Sequence, residues 1–193
     1  SYFRHMPNMT MMMPKNGVEL EKMLDFALNR MDSPVAIRYP RGEVSLRYSD
    51  NCNDIEYGKG EILKDGEKIA VLSAGSMLDE ADDVCTLLEK DGYRPVLVNL
   101  RFAKPVDKEL IKNVCEKCEY VFTIEDNVFE GGVGCAVLET INEEENIKNV
   151  AFHAFAFPDK FIEHGTRKEL YARYGLDGKT IYSEIKKRVE NNG

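Results

Sequence analysis

Apolar positions along this chain alternate between two rhythms: short unbroken runs, and stretches with three- and four-residue spacing. Met9 to Met13 form one such run, which predicts a buried strand, and Pro14-Lys15-Asn16-Gly17 is a turn. In the segment VELEKMLDFALNRM that follows, Leu20, Met23, Leu24, Ala27, Leu28 and Met31 recur at helical spacing. PVAIRYP then reads as a strand halted by Pro40. Strand, helix and strand with short turns make one βαβ unit, which sets the two strands parallel.

From Gly42 to about Lys59 the rhythm dissolves into a polar, turn-rich stretch, and we divide the chain there into residues 1–48 and 49–193. Beyond it, GEILKDG is a short edge strand paired antiparallel, IAVLSAG a strand, and MLDEADDVCTLLEKDG a helix ended by Gly92. PVLVNL is a strand, DKELIKNVCEKC a helix and YVFTIE a strand. A glycine-rich loop leads to a helix running to about Glu145, NVAFHAFAF is a last strand, and two helical segments close the chain. The predicted class is α/β: a mostly parallel sheet with one antiparallel edge strand, helices on both faces, and the βαβ unit in front.

Composition narrows the function classes. With 193 residues, 43% of them hydrophobic, the chain can bury a core in one domain, or in one domain plus an appendage. A net charge of -8, a pI near 5.1 and no basic stripe argue against nucleic acid. Apolar runs fall far short of the ~20 residues a membrane span needs, and no signal segment opens the chain, so a cytoplasmic protein is expected. Five cysteines, an odd number, suit a reducing compartment. The chain opens SYFRHMPN, with neither an initiator Met nor the start of an element, as a chain cut in mid-domain would.

The densest candidate chemistry lies in IEDNVFEGGVGCAVLET, where Gly131, Gly132 and Gly134 stand between a strand and a helix, the place of a phosphate loop. A dinucleotide fingerprint would use Gly132 and Gly134 as its first and third positions, but the sixth is Val137, and no P-loop run exists. Glu125, Asp126 and Glu130 would repel a phosphate at that helix start. A tight strand-to-helix turn is the reading that remains. Cys115 and Cys118 form a lone CxxC in a helical pattern with no histidine near, and Cys135 follows the loop with no histidine adjacent. Helix packing explains all three.

IRYPRG is the better anion candidate, since Arg38 and Arg41 end a parallel strand and ligands of open α/β sheets gather beyond strand carboxyl ends. Arg41, after a rigidifying proline, can present a planar fork to a phosphate or carboxylate. From residue type alone a surface ion pair competes with this, given 34 acids. In RFAKPVD, which carries Arg101, Lys104 and Asp107, Pro105 and Asp107 look like a helix start with Asp107 as N-cap. His153 reads as a core or sheet-face histidine. His164 precedes a helix and is freer to act, but no Ser-His-Asp triad spacing appears.

Read together, SYFRHMPNMTMMMPKNGVELEKML, PVAIRYPRG, GKGEILKDGEKIAVLSAGSM, VLVNLRFAKPVD, TIEDNVFEGGVG and FPDKFIEHGTRKELYARYGLDG resemble the 1-deoxy-D-xylulose-5-phosphate synthases, thiamine-diphosphate enzymes of the transketolase family. The resemblance runs along essentially the whole chain, and its last segment separates it from transketolase itself and from the β subunits of 2-oxo-acid dehydrogenases. It implies a three-layer transketolase C-terminal domain over residues 49–193, preceded by the last βαβ portion of the pyrimidine-binding domain over 1–48. The reaction it implies condenses pyruvate with glyceraldehyde 3-phosphate, losing CO2, on the way to isoprenoid, thiamine and pyridoxal precursors. Thiamine diphosphate and Mg2+ serve a homodimer in that chemistry.

By the same resemblance, Arg41 matches the arginine that grips the phosphate of glyceraldehyde 3-phosphate. The magnesium motif, the glutamate that activates the aminopyrimidine and the catalytic histidines would lie upstream of Ser1. No catalytic, cofactor-binding or metal-binding residue is therefore expected here, and this polypeptide alone is expected to be inactive. Its expected partners are the upstream domains of the same enzyme or a separate thiamine-binding subunit. A stand-alone dimerisation or regulatory module of transketolase C-terminal type is the alternative. The resemblance also implies that EDNVFEGGVG is a structural turn near a subunit interface. Without the rest of the pyrimidine-binding domain, Met9–Met13 would expose apolar surface and favour self-association.

Overall fold

The computed structural model describes residues 2–50, 52–144, 147 and 150–191. The helix end expected at Glu145 and the strand start expected at Asn149 lie outside the described residues.

Two sheets carry the fold. The smaller contains β1 (Thr10–Met12) at its centre, with β2 (Val35–Ile37) parallel on one side and β6 (Phe102–Lys104) antiparallel on the other. Helix α1 (Gly17–Arg30) makes the crossover between β1 and β2, as the spacing predicts, and Asn16 caps it by accepting from the Glu19 N–H at 2.9 Å. The β6 pairing is not foreseen from sequence. RFAKPVD reads there only as a strand end and a helix start, whereas its first half returns to the βαβ unit and stitches the two parts of the chain together.

The larger sheet runs in the order β3-β5-β4-β7-β8, with β3 (Glu61–Lys64) the antiparallel edge strand. Strands β4 (Lys68–Ser73), β5 (Val96–Asn99), β7 (Cys118–Val128) and β8 (Ala151–Phe157) are parallel to one another. Successive residues of β4 face opposite sides, so Ile69 and Val71 enter one core layer while Ala70 and Leu72 enter the other. The first layer is closed by α2 (Leu78–Lys90), α5 (Arg167–Tyr174) and α6 (Gly178–Asn191), through Leu88, Tyr171, Ile181 and Ile185. The second is closed by α3 (Lys108–Lys117) and α4 (Val133–Glu143), through Ile111, Val114 and Val137. This is the three-layer α/β arrangement expected, each fully buried Leu, Ile or Phe contributing about 1.5–3 kcal/mol.

The methionine run behaves differently from the expectation of exposed apolar surface. Met12 is fully buried with Met23, Phe26 and Phe102, while Met11 and Met13 on the opposite face join the core under α3 and α4. Helix α1 covers the first face, and the core of the second part of the chain covers the other. PVAIRYP is also shorter as a strand than expected: it ends at Ile37, leaving Arg38 to Gly42 as the turn beyond its carboxyl end.

Candidate functional site

The carboxyl ends of β2, β4 and β7 converge. Arg38 follows β2, Ser76 lies in the short 3-10 turn after β4, and Asp126 is near the end of β7. Arg38 Nη1 donates to Asp126 Oδ1 at 2.5 Å, its Nη2 reaches the Asp126 carbonyl at 3.3 Å, and Ser76 Oγ donates to Asp126 Oδ2 at 3.3 Å. Tyr171 of α5 lies in the core layer beneath, its hydroxyl buried near Ser76 and its pKa pushed up by burial.

Arg41 stands in the turn just beyond. It is exposed, and among the described residues no ion pair or hydrogen bond engages it. Arg38, Arg47 and Arg101 are each bound to carboxylates, whereas Arg167, across the adjoining groove, is like Arg41 without an ion pair among the described residues. Pro40 and Gly42, on either side of Arg41, line a groove of about 70 Å³ shared with Asn16, Tyr39, Ser76 and Arg167. Glu43 and Asp79 line it too.

A second constellation is buried beneath α1. Glu19 and Glu61 face Lys15 and Arg101, with Asn99 between them. Lys15 Nζ donates to Glu19 at 2.9 Å and also to Glu61, while Arg101 Nε meets Glu19 at 2.8 Å and its Nη2 meets Glu61 at 2.9 Å. Asn99 Nδ2 donates to Glu61 at 2.9 Å and to Glu19 at 3.1 Å. Two cations and two anions leave the cluster neutral, with both carboxylates multiply hydrogen-bonded, which is the condition under which buried ions persist. Arg101 adopts φ 54, a left-handed conformation that costs a non-glycine residue about 1–3 kcal/mol and is held by these contacts. Burial works against ionisation of Glu61, but the hydrogen bonds from Lys15 and Asn99 and the charge of Arg101 outweigh it and hold its pKa below the usual value.

The glycine loop is explained by its own strand. Glu125 turns its carboxylate onto the start of α4 and accepts from the backbone N–H of Val133 at 2.9 Å and Gly134 at 3.0 Å. The place where a phosphate would bind a helix N-terminus is taken by a side chain of the protein. A Cβ on Gly132 would lie 2.2 Å from Glu125 Oε2, and one on Gly134 would lie 2.6 Å from Thr123 Oγ1, so close approach is what requires glycine there. Burial raises the Glu125 pKa, and the two N–H donors oppose that rise.

Other candidates find structural duties. Asp107 caps α3 by accepting from Leu110 N–H at 3.1 Å, as expected, and also accepts from Gly60 N–H at 3.1 Å. Lys104 Nζ donates to the carbonyls of Arg4, at 2.9 Å, and Met6. His153 sits half-buried on β8, edge-on to Phe155, and His164 is exposed before α5. Cys115 is in α3, but Cys118 already opens β7, so the CxxC spans a helix end and does not lie along one face. Burial pushes both thiols up to about 11. Cys135 donates to Glu139 at 3.2 Å.

Among the described residues, no group of three or more His, Cys, Asp and Glu is arranged to hold a metal, and no helix is long and apolar enough to cross a membrane. With the α4 N-terminus filled by Glu125, that helix start is not open to the diphosphate of thiamine diphosphate.

A parallel sheet with one antiparallel edge, joined through β6 to a βαβ unit, is the architecture of a transketolase-type C-terminal domain attached to the end of a pyrimidine-binding domain. The model of the transketolase C-terminal domain matches residues 58–181, and that of the transketolase pyrimidine binding domain matches residues 1–46. The chain belongs to the transketolase family, which is thiamine-diphosphate dependent. Within that family it is similar to 1-deoxy-D-xylulose-5-phosphate synthases. It is 44% identical to the one from Caldanaerobacter subterraneus subsp. tengcongensis over 98% of this chain, and 40% identical to the one from Clostridium tetani over 97%. The chain spans 30% of the length of each. A solved split-gene transketolase, described as an inactive β4 tetramer, superposes with a TM-score of 0.85 at 28% identity, over 96% of this chain and 58% of that one.

Proposed function

We propose that this chain is the C-terminal portion of a 1-deoxy-D-xylulose-5-phosphate synthase, divided at residues 48 and 49 into the end of the pyrimidine-binding domain and a transketolase-type C-terminal domain. The complete cytoplasmic enzyme, a homodimer, condenses pyruvate with glyceraldehyde 3-phosphate and releases CO2, using thiamine diphosphate and Mg2+ held by upstream domains or by a separate subunit. On its own the chain is inactive. What it contributes is assembly, together with Arg41, whose guanidinium binds the phosphate of glyceraldehyde 3-phosphate.

The observation that carries this reading is Arg41 itself: an exposed arginine in the turn beyond the carboxyl end of a parallel strand, without an ion-pair partner among the described residues, beside a groove at the junction of the chain's two parts. A planar fork in that position forms charge-assisted hydrogen bonds to a dianion and holds the attached aldehyde for attack. The test compares the complete enzyme with this chain alone, following CO2 release from pyruvate in the presence of glyceraldehyde 3-phosphate and thiamine diphosphate. Activity in the complete enzyme only is expected. Turnover by this chain alone would overturn the division of labour, and none by either would favour a stand-alone module.

A further inference from the structure

The turn that carries Arg41 is pinned at both ends to the C-terminal domain. At its upstream end, Arg38 is fixed twice. Its backbone N–H donates to the Met12 carbonyl of β1 at 2.8 Å, and its guanidinium reaches the C-terminal domain, gripping Asp126 through both the carboxylate and the carbonyl, at 2.5 and 3.3 Å. At its downstream end, Ser45 Oγ donates to Asp79 at 2.8 Å, Arg47 pairs with Asp82 at 3.0 Å, and Tyr48 donates to Asp82 at 2.7 Å. Between these anchors, Arg41 projects from a turn stiffened by Pro40.

The two anchors differ in what they control. Asp126 is the nearer in sequence to the arginine, through a partner only three residues away. Its carboxylate is held by Ser76 on one oxygen and by Arg38 on the other, with a side chain 13% exposed. From this geometry we propose that Asp126 is a positioning residue for the substrate phosphate: by holding Arg38 it fixes the turn that presents Arg41. The proposal rests on the reading of Arg41 given above. It assigns the C-terminal domain a part in substrate recognition without any contact between Asp126 and the substrate. A carboxylate that touched a phosphate dianion would repel it, whereas one spent on Arg38 organises the cation that attracts it.

The experiment uses the complete enzyme and two aldehydes, glyceraldehyde 3-phosphate and unphosphorylated glyceraldehyde. Asp126→Ala is expected to raise KM for the phosphorylated aldehyde by between ~10-fold and ~100-fold, the range that a misplaced binding group produces. KM for pyruvate and for the unphosphorylated aldehyde should stay unchanged, and Asp126→Glu should recover most of the loss. In an Arg41→Ala background, Asp126→Ala should add nothing further, because the two act through one contact. If Asp126→Ala unfolds the enzyme, the near-isosteric Asp126→Asn supplies the same comparison.

A KM that rises in Arg41→Ala and not in Asp126→Ala overturns the positioning role while leaving the Arg41 site intact. An equal rise for both aldehydes also overturns it, as the mark of general damage. No change in Arg41→Ala removes the site, and the positioning role with it.

Discussion

Arg101 donates from Nε to Glu19 Oε1 at 2.8 Å, and neither side chain reaches solvent to any useful extent. The pair joins α1 to the turn between β5 and β6, and so ties the first part of the chain to the second. Glu61 and Lys15 complete a neutral square around Asn99. Such a cluster adds little stability over an apolar core of equal volume, but breaking one side strands a buried charge. Glu19→Gln is therefore expected to lower unfolding free energy by about 3–5 kcal/mol. Denaturant titration checks this through a lower midpoint with the slope unchanged. A loss below about 1 kcal/mol would place the pair in the class of surface bridges.

The acid side of the stability profile follows from Glu61. Its pKa is lower in the folded chain than its ordinary value, so its contribution is fully present above that ordinary value and is lost as pH falls through the depressed one. Glu61→Gln should remove this dependence and flatten the acid limb relative to the parent. Glu125, whose folded pKa is raised, acts in the opposite sense, so the difference between the two proteins, not either profile alone, isolates Glu61. Parallel acid limbs in the two melting profiles would contradict the assignment.

Gly132 is a second sharp test. Alanine there places a methyl group 2.2 Å from the Glu125 carboxylate and 2.6 Å from the Val128 carbonyl. Relief demands that the cap or the backbone move, at a cost of about 1–3 kcal/mol. Hydrogen exchange at the Val133 and Gly134 amides should quicken accordingly. Unchanged protection would mean that Glu125 does not hold those donors.

Because Glu125 occupies the helix start, titration with nucleotides or inorganic phosphate should show no binding at Gly131–Gly134. Micromolar affinity there, followed by shifts in those backbone amide resonances, would show that the carboxylate yields to a ligand.

The fold is legible where local pattern decides it. The crossover from β1 to β2, the alternating strands and helices and the antiparallel edge at β3 all follow from spacing and turn chemistry. The return of Phe102–Lys104 to β1 does not, because three residues carry too little periodicity and their partner lies about ninety positions earlier. The buried square is hidden for the same reason. Its members stand in a turn, a helix, an edge strand and a strand end, and only the four-residue spacing of Lys15 and Glu19 hints at contact. Glu125 and Asp126 show the limit most clearly. Their sequence position identifies them as charges that repel a phosphate, but not that one caps α4 and the other holds Arg38. Arg41 is visible from sequence because a strand end followed by proline is a local feature.

The most direct test of the account is steady-state kinetics of Arg41→Ala in the complete enzyme, with glyceraldehyde 3-phosphate and unphosphorylated glyceraldehyde compared as acceptors. Loss of a charge-assisted contact worth about 1.5–3 kcal/mol predicts a rise in KM of roughly 10- to 100-fold for the phosphorylated acceptor alone, with pyruvate unaffected. Equal KM values in the variant and the parent for both acceptors would remove Arg41 from the substrate site.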